Sequence, residues 1–389
     1  MIDAVTLSDN GTLNLTGNCT YTGGTFIRQC TLIIGDGTTN GWIVGDVVFT
    51  NSVGGYEYPT RILEFNRSDD VTFPGNIGGP GGTLAGGLAS VAGEVEQSGS
   101  GRLTLTGNNT YLGGTVVNGG VLQVGNGGTN GTIGPGAIDT ETEIDFDHSD
   151  LVAISPTNTI SGGGSLVQLG SGTLKLLCTN QYTGATTISN GTMVVTNVAG
   201  EMDVFGGILS PGGDPTIDTL TVAGNLNMSG GTILVYVNTA LSPSNTIIQV
   251  SGSINITNGT LKFVNLGPGI AQGDVFNIFN GSQVATLGHL TIVAPGFTLS
   301  TNNMAASGSV SVSSVAAAGS EIITASVSGG QIHLSWPAIW TGVHLQKQVD
   351  ALSAGIGAAS WVTIAGSDAS NTYSEALSST GAVFYRLAP

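Results

Sequence analysis

Residues 101–115 read GRLTLTGNNTYLGGT, and the phrase returns at 11–25 as GTLNLTGNCTYTGGT and at 172–186 as GTLKLLCTNQYTGAT. Tyr21, Tyr111 and Tyr182 fall in register, as do the pairs Leu13/Leu15, Leu103/Leu105 and Leu174/Leu176. The short alternating runs predict strands with these leucines pointing inward and Asn14, Thr104 and Lys175 outward. Antiparallel sandwiches contain such strands too. Here, however, whole segments recur with their turn residues in register, which suits coils piled on one another. In such a stack each unit buries its apolar side only against its neighbours.

Each phrase is followed by a second related segment: FIRQCTLII at 26–34, VVNGGVLQV at 116–124 and TISNGTMVV at 187–195. The Asn-Gly pairs at 118–119 and 190–191 read as tight turns between β-branched residues. A third echo matches LEFNRSD at 63–69 to IDFDHSD at 144–150. The copies are offset by 90 and then 71 residues, a difference assigned to loop length. At 20–25 residues per coil, residues 1–310 would form roughly 13 coils and a rod near 60 Å long, taking about 4.8 Å per rung.

Composition narrows the function classes. Of 389 residues 63 are glycine, and charged residues are only 8%. Hydrophobic residues at 40% exclude a disordered chain, which would combine low hydrophobicity with high charge. The net charge of −17 and eight scattered basic residues argue against a nucleic-acid or anionic-lipid surface. No apolar window long enough for a membrane helix occurs, and the N-terminus shows no signal peptide. The chain opens just before the first phrase, as a chain truncated upstream, or a subunit beginning mid-scaffold, would. Three cysteines cannot all pair within one chain: Cys19 and Cys30 stand where copy two has Asn109 and Gly120, leaving either a bridge across one turn or two turn substitutions. Cys178 is expected to be unpaired.

Four segments follow from these patterns. Residues 1–199 hold the repeats, and 200–310 continue the coils and close them with a cap that covers the open strand edges. Residues 311–321, mostly Ser, Ala, Val and Gly, read as a linker without strong sheet signals. The last segment, 322–389, holds three of the four tryptophans and reads as a small β-sandwich-like module with strands near 332–337, 343–348, 361–364 and 382–387.

The three quoted phrases resemble the autotransporter-associated β-strand repeat of passenger domains and large secreted bacterial proteins. GGILSPGG and GDVFNIFNG are similar to the segments that follow such repeats in Verrucomicrobia-type bacteria. The tail, from HLSWPAIW to AVFYRL, resembles a fibronectin-like module. The resemblance implies an all-β fold, a right-handed parallel β-helix (β-solenoid), at the cell surface or outside the cell. It brings no catalytic pattern with it. No outer-membrane barrel follows, which speaks against self-translocation in one piece.

The strongest chemical candidate is DTETEIDFDHSD at 139–150. On a strand, Glu143, Asp145 and Asp147 share one face about 6.5 Å apart while Ile144 and Phe146 face the core. Three readings stay open: a solvated acidic face, a Ca²⁺ site, or the acid and base of an inverting glycosidase. Arg61 and Arg67 lie near Asp69 and Asp70, where a strand-end ion pair is the plainer account. His333 and His344 could share a face of the last module, and His289 stands alone. The three tyrosines would either pack coil corners or line up as rings for sugar.

No catalytic, cofactor-binding or metal residue is assigned, and no cofactor is expected. The main expectation is a non-enzymatic extracellular or cell-surface scaffold, assembling head-to-tail into a filament or matrix. A carbohydrate-binding adhesin and a polysaccharide-active hydrolase or lyase are the alternatives. Self-association, cell-surface components and glycans are the expected partners; nucleic acid and a membrane span are not.

Overall fold

The computed structural model describes residues 4–8, 11–50, 61–78, 92–155, 157–213, 215–267, 269–280, 284–315, 323–337, 343–350, 361–377 and 382–388. Up to residue 293 most strands are short, and all the described ones except Val275–Asn277 pair in parallel. One coil shows the plan. The strands Glu143–Phe146, Leu151–Ile154 and Thr159–Ser161 form three successive sides, and the chain then returns one rung on, at Ser165, beside Glu143. Between the strands, glycine-rich corners turn the chain.

Three columns result. The first face runs from Val71–Phe73 through Arg102–Leu105, Val121–Val124, Glu143–Phe146 and Ser165–Gln168 to Ile254–Asn265. The second runs from Leu151–Ile154 through Thr173–Leu176, Thr192–Val195, Ile208–Pro211 and Thr232–Val237. The third includes Thr12–Leu15, Thr31–Ile34, Ile62–Phe65, Glu94–Gln97, Gly114–Val117, Ile138–Thr140 and Thr159–Ser161. The 12-residue strand Ile254–Asn265 joins two faces, its start pairing Leu226–Met228 and its end pairing Thr232–Val237.

A coil consumes between 16 residues, from Thr186 to Met202, and 32, from Ile62 to Glu94. That spread exceeds the expected 20–25, because corner loops absorb extra residues while the strands keep their register. Roughly eleven rung steps of about 4.8 Å give a stack about 53 Å tall.

The repeat is out of phase with the coil. The first strand of each copy lies on the third face (Thr12–Leu15), then the first (Arg102–Leu105), then the second (Thr173–Leu176). The strands after the tyrosines, Thr25–Ile27, Gly114–Val117 and Thr186–Ile188, likewise lie in three separate sheets. Each copy is therefore turned by one face, and the three tyrosines do not stack on one another.

Alternation sends Leu103, Leu105, Leu174, Leu176, Ile144, Phe146 and Leu166 into one continuous core. Leu13 departs from the expectation at 37% exposed: among the described residues its strand pairs only with Thr31–Ile34, and none of them forms a ladder on its other side. Turn glycines set the entry to each second-segment strand. Gly120, Gly191, Gly207 and Gly231 have φ between 54° and 68°, left-handed backbone that glycine adopts without strain. A Cβ on Gly191 would lie 2.3 Å from the carbonyl oxygens of Gly170 and Gly172 on the rung before.

At the far end, Val275–Asn277, Phe297–Ser300 and Ser309–Val315 form an antiparallel sheet, and Phe263, Phe276 and Phe297 pack beneath it at ring distances of 6.2 Å. Ser309–Val315 enters the stretch read as linker. Its Ser–Val alternation is a strand pattern, burying Val310 and Val312. Residues 316–322 lie outside the described residues. Further on, two three-stranded antiparallel sheets, centred on Gln331–Ser335 and His344–Asp350, enclose a separate core of Leu334, Trp336 and Leu345. Two of their strands, Thr324–Ser328 and Thr372–Ala376, are too polar to have been read from sequence.

Candidate functional site

Glu143–Phe146 is a strand with Ile144 and Phe146 buried, as the alternation requires. The solvated-face reading fails at Asp145, which is only 1% exposed. Arg102, two rungs back on the same face, reaches across Gln123 to pair with the Asp145 carboxylate and donates to Gln123 Oε1 at 2.9 Å. Burial pushes the Asp145 pKa up, outweighing the Arg102 hydrogen bond, and its Oδ1 has no partner among the described residues. Glu143 accepts from Ser165, and Asp147 from the Gln123 amide. Among the described residues no three His, Cys, Asp or Glu side chains group to hold a metal ion.

The echo at 63–69 and 144–150 is a repeated post. Arg67 donates to both carboxylate oxygens of Asp69, at 2.9 and 2.8 Å, and to the Gly41 carbonyl. This is the strand-end ion pair expected from sequence. His148 occupies the same post with Nδ1 3.2 Å from Asp150, while its buried Nε2 has no partner among the described residues. Each base is tucked under a loop of the same build, GDGTTNG at 35–41 and GNGGTNG at 125–131. A Cβ on Gly35 would strike Arg67, and one on Gly125 would strike His148. The imidazole is shorter than the guanidinium, so its second nitrogen stays unpaired.

Beside that post the wall opens. A groove of about 280 Å³ lies between Thr129–Pro135 and Leu151–Ser155, with His148 and Asp150 in its lining. Tyr111 accounts for it. Its ring is fully buried, and its hydroxyl shares a 2.7 Å hydrogen bond with Thr115. A Cβ on Gly134 would sit 2.2 Å from the Tyr111 carbonyl, so the 131–136 segment is drawn back toward the Tyr111 rung. Asn109 holds it there, its amide donating to the Thr132 carbonyl at 2.7 Å. On its open side Leu151–Ile154 has no ladder partner among the described residues; it pairs only with Thr173–Leu176.

Tyr182 is buried like Tyr111 and bonds Thr186 at 2.6 Å, and the half-buried Tyr21 bonds Thr25 at 2.7 Å. The tyrosines are corner pins, which removes the row of sugar-binding rings. Desolvation lifts Tyr111 to about 12. His333 and His344 lie in different sheets; His333 bonds Ser328 and Ser374. His289 stands exposed on the last long strand. Cys19, Cys30 and Cys178 are all free, and burial pushes Cys178 up to about 11.

Sequence reading missed Gln97 and Gln168, equivalent inward-facing residues of the second and third copies. Each donates through Nε2 to two glycine carbonyls of its corner. The signal was present, since both precede a Gly-Ser-Gly corner by two residues.

The model of the passenger-associated-transport-repeat matches residues 5–34, 95–124 and 166–195, the three copies with their strands. The chain thus carries three copies of a repeat found in passenger domains. It is similar to the BmaC autotransporter adhesin of Brucella suis biovar 1 (strain 1330), with 31% identity over 302 residues. That match covers 67% of this passenger-like chain and 8% of the adhesin. No solved structure matches. The comparisons carry no taxonomic signal toward Verrucomicrobia.

Proposed function

We propose that this passenger-like chain is a non-enzymatic, adhesive stretch of a protein displayed at the cell surface or outside the cell. The observation that carries the reading is the 302-residue likeness to an autotransporter adhesin, beside three matches to the passenger-associated repeat. The fold suits that role. A stack of short parallel rungs holds any surface feature at a fixed height and angle, and its loops vary without disturbing the core. The chain would divide into repeat coils at 1–199, further coils and cap at 200–310, a linker at 311–321 whose first residues, to Val315, complete the last cap strand, and a module at 322–389.

The test is display of the chain on non-adherent bacteria by a heterologous anchor, followed by counting attachment to host-cell monolayers and to a glycan array. Raised attachment over empty-anchor cells is expected. Attachment equal to that control on every surface contradicts the reading, and attachment confined to glycans makes the ligand carbohydrate.

A scaffold role is the second reading, favoured by outward ladders that stiffen the stack. Asn227 donates to Asp203 at 2.8 Å and Asn255 to Asn227 at 2.9 Å, one side chain per rung. Filament formation belongs to this reading, and electron microscopy of the purified chain tests it: uniform monomers at high concentration exclude a filament.

A further inference from the structure

We propose that the groove beside Leu151–Ile154 is a docking slot for an extended, basic peptide segment of a partner protein, added to the second face as an extra strand. This deepens the adhesive reading and rests on it.

The argument starts from the ladder. Thr173 N–H donates to the Asp150 carbonyl. Alternation along a parallel pair then turns both backbone groups of Val152 toward the Thr173–Leu176 rung. The N–H and C=O of Leu151 and Ala153 consequently point into the groove, where no described residue pairs with them. An edge of this kind is a template for another chain's strand. Here Asn109 holds the preceding segment back through Thr132, with Gly134 packed against the Tyr111 carbonyl.

Side chains add the second element of recognition. Leu151 is 58% exposed at the mouth, an apolar contact for alternate residues of an incoming strand. Charge decides the peptide's sign. The groove's lining contains Asp150 but no Lys or Arg, and Asp147 lies just before it in a chain of net charge −17. The Asp150 side chain keeps 46% of its surface exposed while holding His148, which leaves it open to a cation. The buried His148 Nε2, without a partner among the described residues, marks polar capacity in this corner that those residues do not meet. A main-chain edge selects extended polypeptide over sugar, and the acidic corner selects basic side chains over acidic ones.

The test uses the full chain and a fluorescent octapeptide of alternating lysine and valine, with a glutamate–valine octapeptide as control. Saturable binding of the lysine peptide, slower hydrogen exchange at the Leu151 and Ala153 amides, and no binding of the glutamate peptide are expected. Ala153→Pro removes an edge N–H without touching the existing ladder, and should weaken binding at least tenfold with an unchanged circular dichroism spectrum. Leu151→Lys, an exposed substitution that repels the peptide, should weaken it as well.

The proposal is overturned if the lysine peptide does not bind, or if both variants bind it as tightly as the parent, which would mean attraction to the acidic chain at large. Displacement of the peptide by a neutral oligosaccharide whose own binding is lost in Ala153→Pro also overturns it, in favour of a sugar site. Peptide binding is read on purified protein and attachment on displaying cells, so failure of the slot and failure of the adhesive reading are separately visible.

Discussion

At the scale of single residues, the buried polar pairs carry the sharpest expectations. Tyr111→Phe and Tyr182→Phe each strand a buried threonine hydroxyl and should cost about 1–2 kcal/mol. Tyr21→Phe, in a half-buried corner, should cost less. Thermal midpoints of the three variants rank them directly. Arg102→Ala leaves Asp145 charged and unpaired in a buried position. Because the Arg102 side chain is itself 31% exposed, the loss should be about 2 kcal/mol rather than the 3–5 of a fully buried pair. Adding Asp145→Asn to that variant should restore most of it. The folded pKa of Asp145 is raised, so the fold binds this proton more tightly than the unfolded chain does. Its contribution to stability therefore grows as pH falls from that raised value toward the unfolded one.

At the scale of elements, the corner glycines and the last module behave differently. Gly191→Ala must place a side chain at φ 61° against two carbonyls of the preceding rung. It should destabilise by at least about 1–2 kcal/mol, with faster hydrogen exchange concentrated in rungs 165–211. Glu375 joins the two sheets of the last module: Lys347 donates to it at 2.7 Å, Tyr373 at 2.9 Å, and Tyr385 to its other oxygen. Burial works to raise its pKa, but these bonds together hold it below the ordinary value. A depressed carboxylate stabilises fully above its unfolded pKa of about 4.3, and that stability is lost as pH falls through the folded value. The module's tryptophan fluorescence should therefore show an acid transition below about pH 4 that Glu375→Gln abolishes.

Strand periodicity and in-register turns made the stack legible, because a side chain's face follows from parity alone. The linker reading failed at Ser309–Val315, where alternating serine and valine carry the same parity signal in residues of low bulk. The acidic run was legible as a strand but not as a buried pair. Arg102 lies 43 residues upstream, and only the rung spacing brings it to Asp145. The groove left no local trace either, since it depends on how Asn109 holds a segment 23 residues further on.

At the scale of the whole molecule, the central claim is a three-faced stack in which each repeat copy is turned by one face. In-register neighbours on successive rungs lie about 4.8 Å apart, inside the roughly 4.4–6.8 Å window for a disulfide. Asn227 and Asn255 are such a pair, whereas Val116 and Thr187 hold the same position in two copies yet belong to different sheets. In a background with Cys19→Ser, mild oxidation of Asn227→Cys/Asn255→Cys should give a linked peptide by mass spectrometry, and Val116→Cys/Thr187→Cys should give none. A bridge in the second pair without one in the first would contradict both the rung register and the turning of the copies.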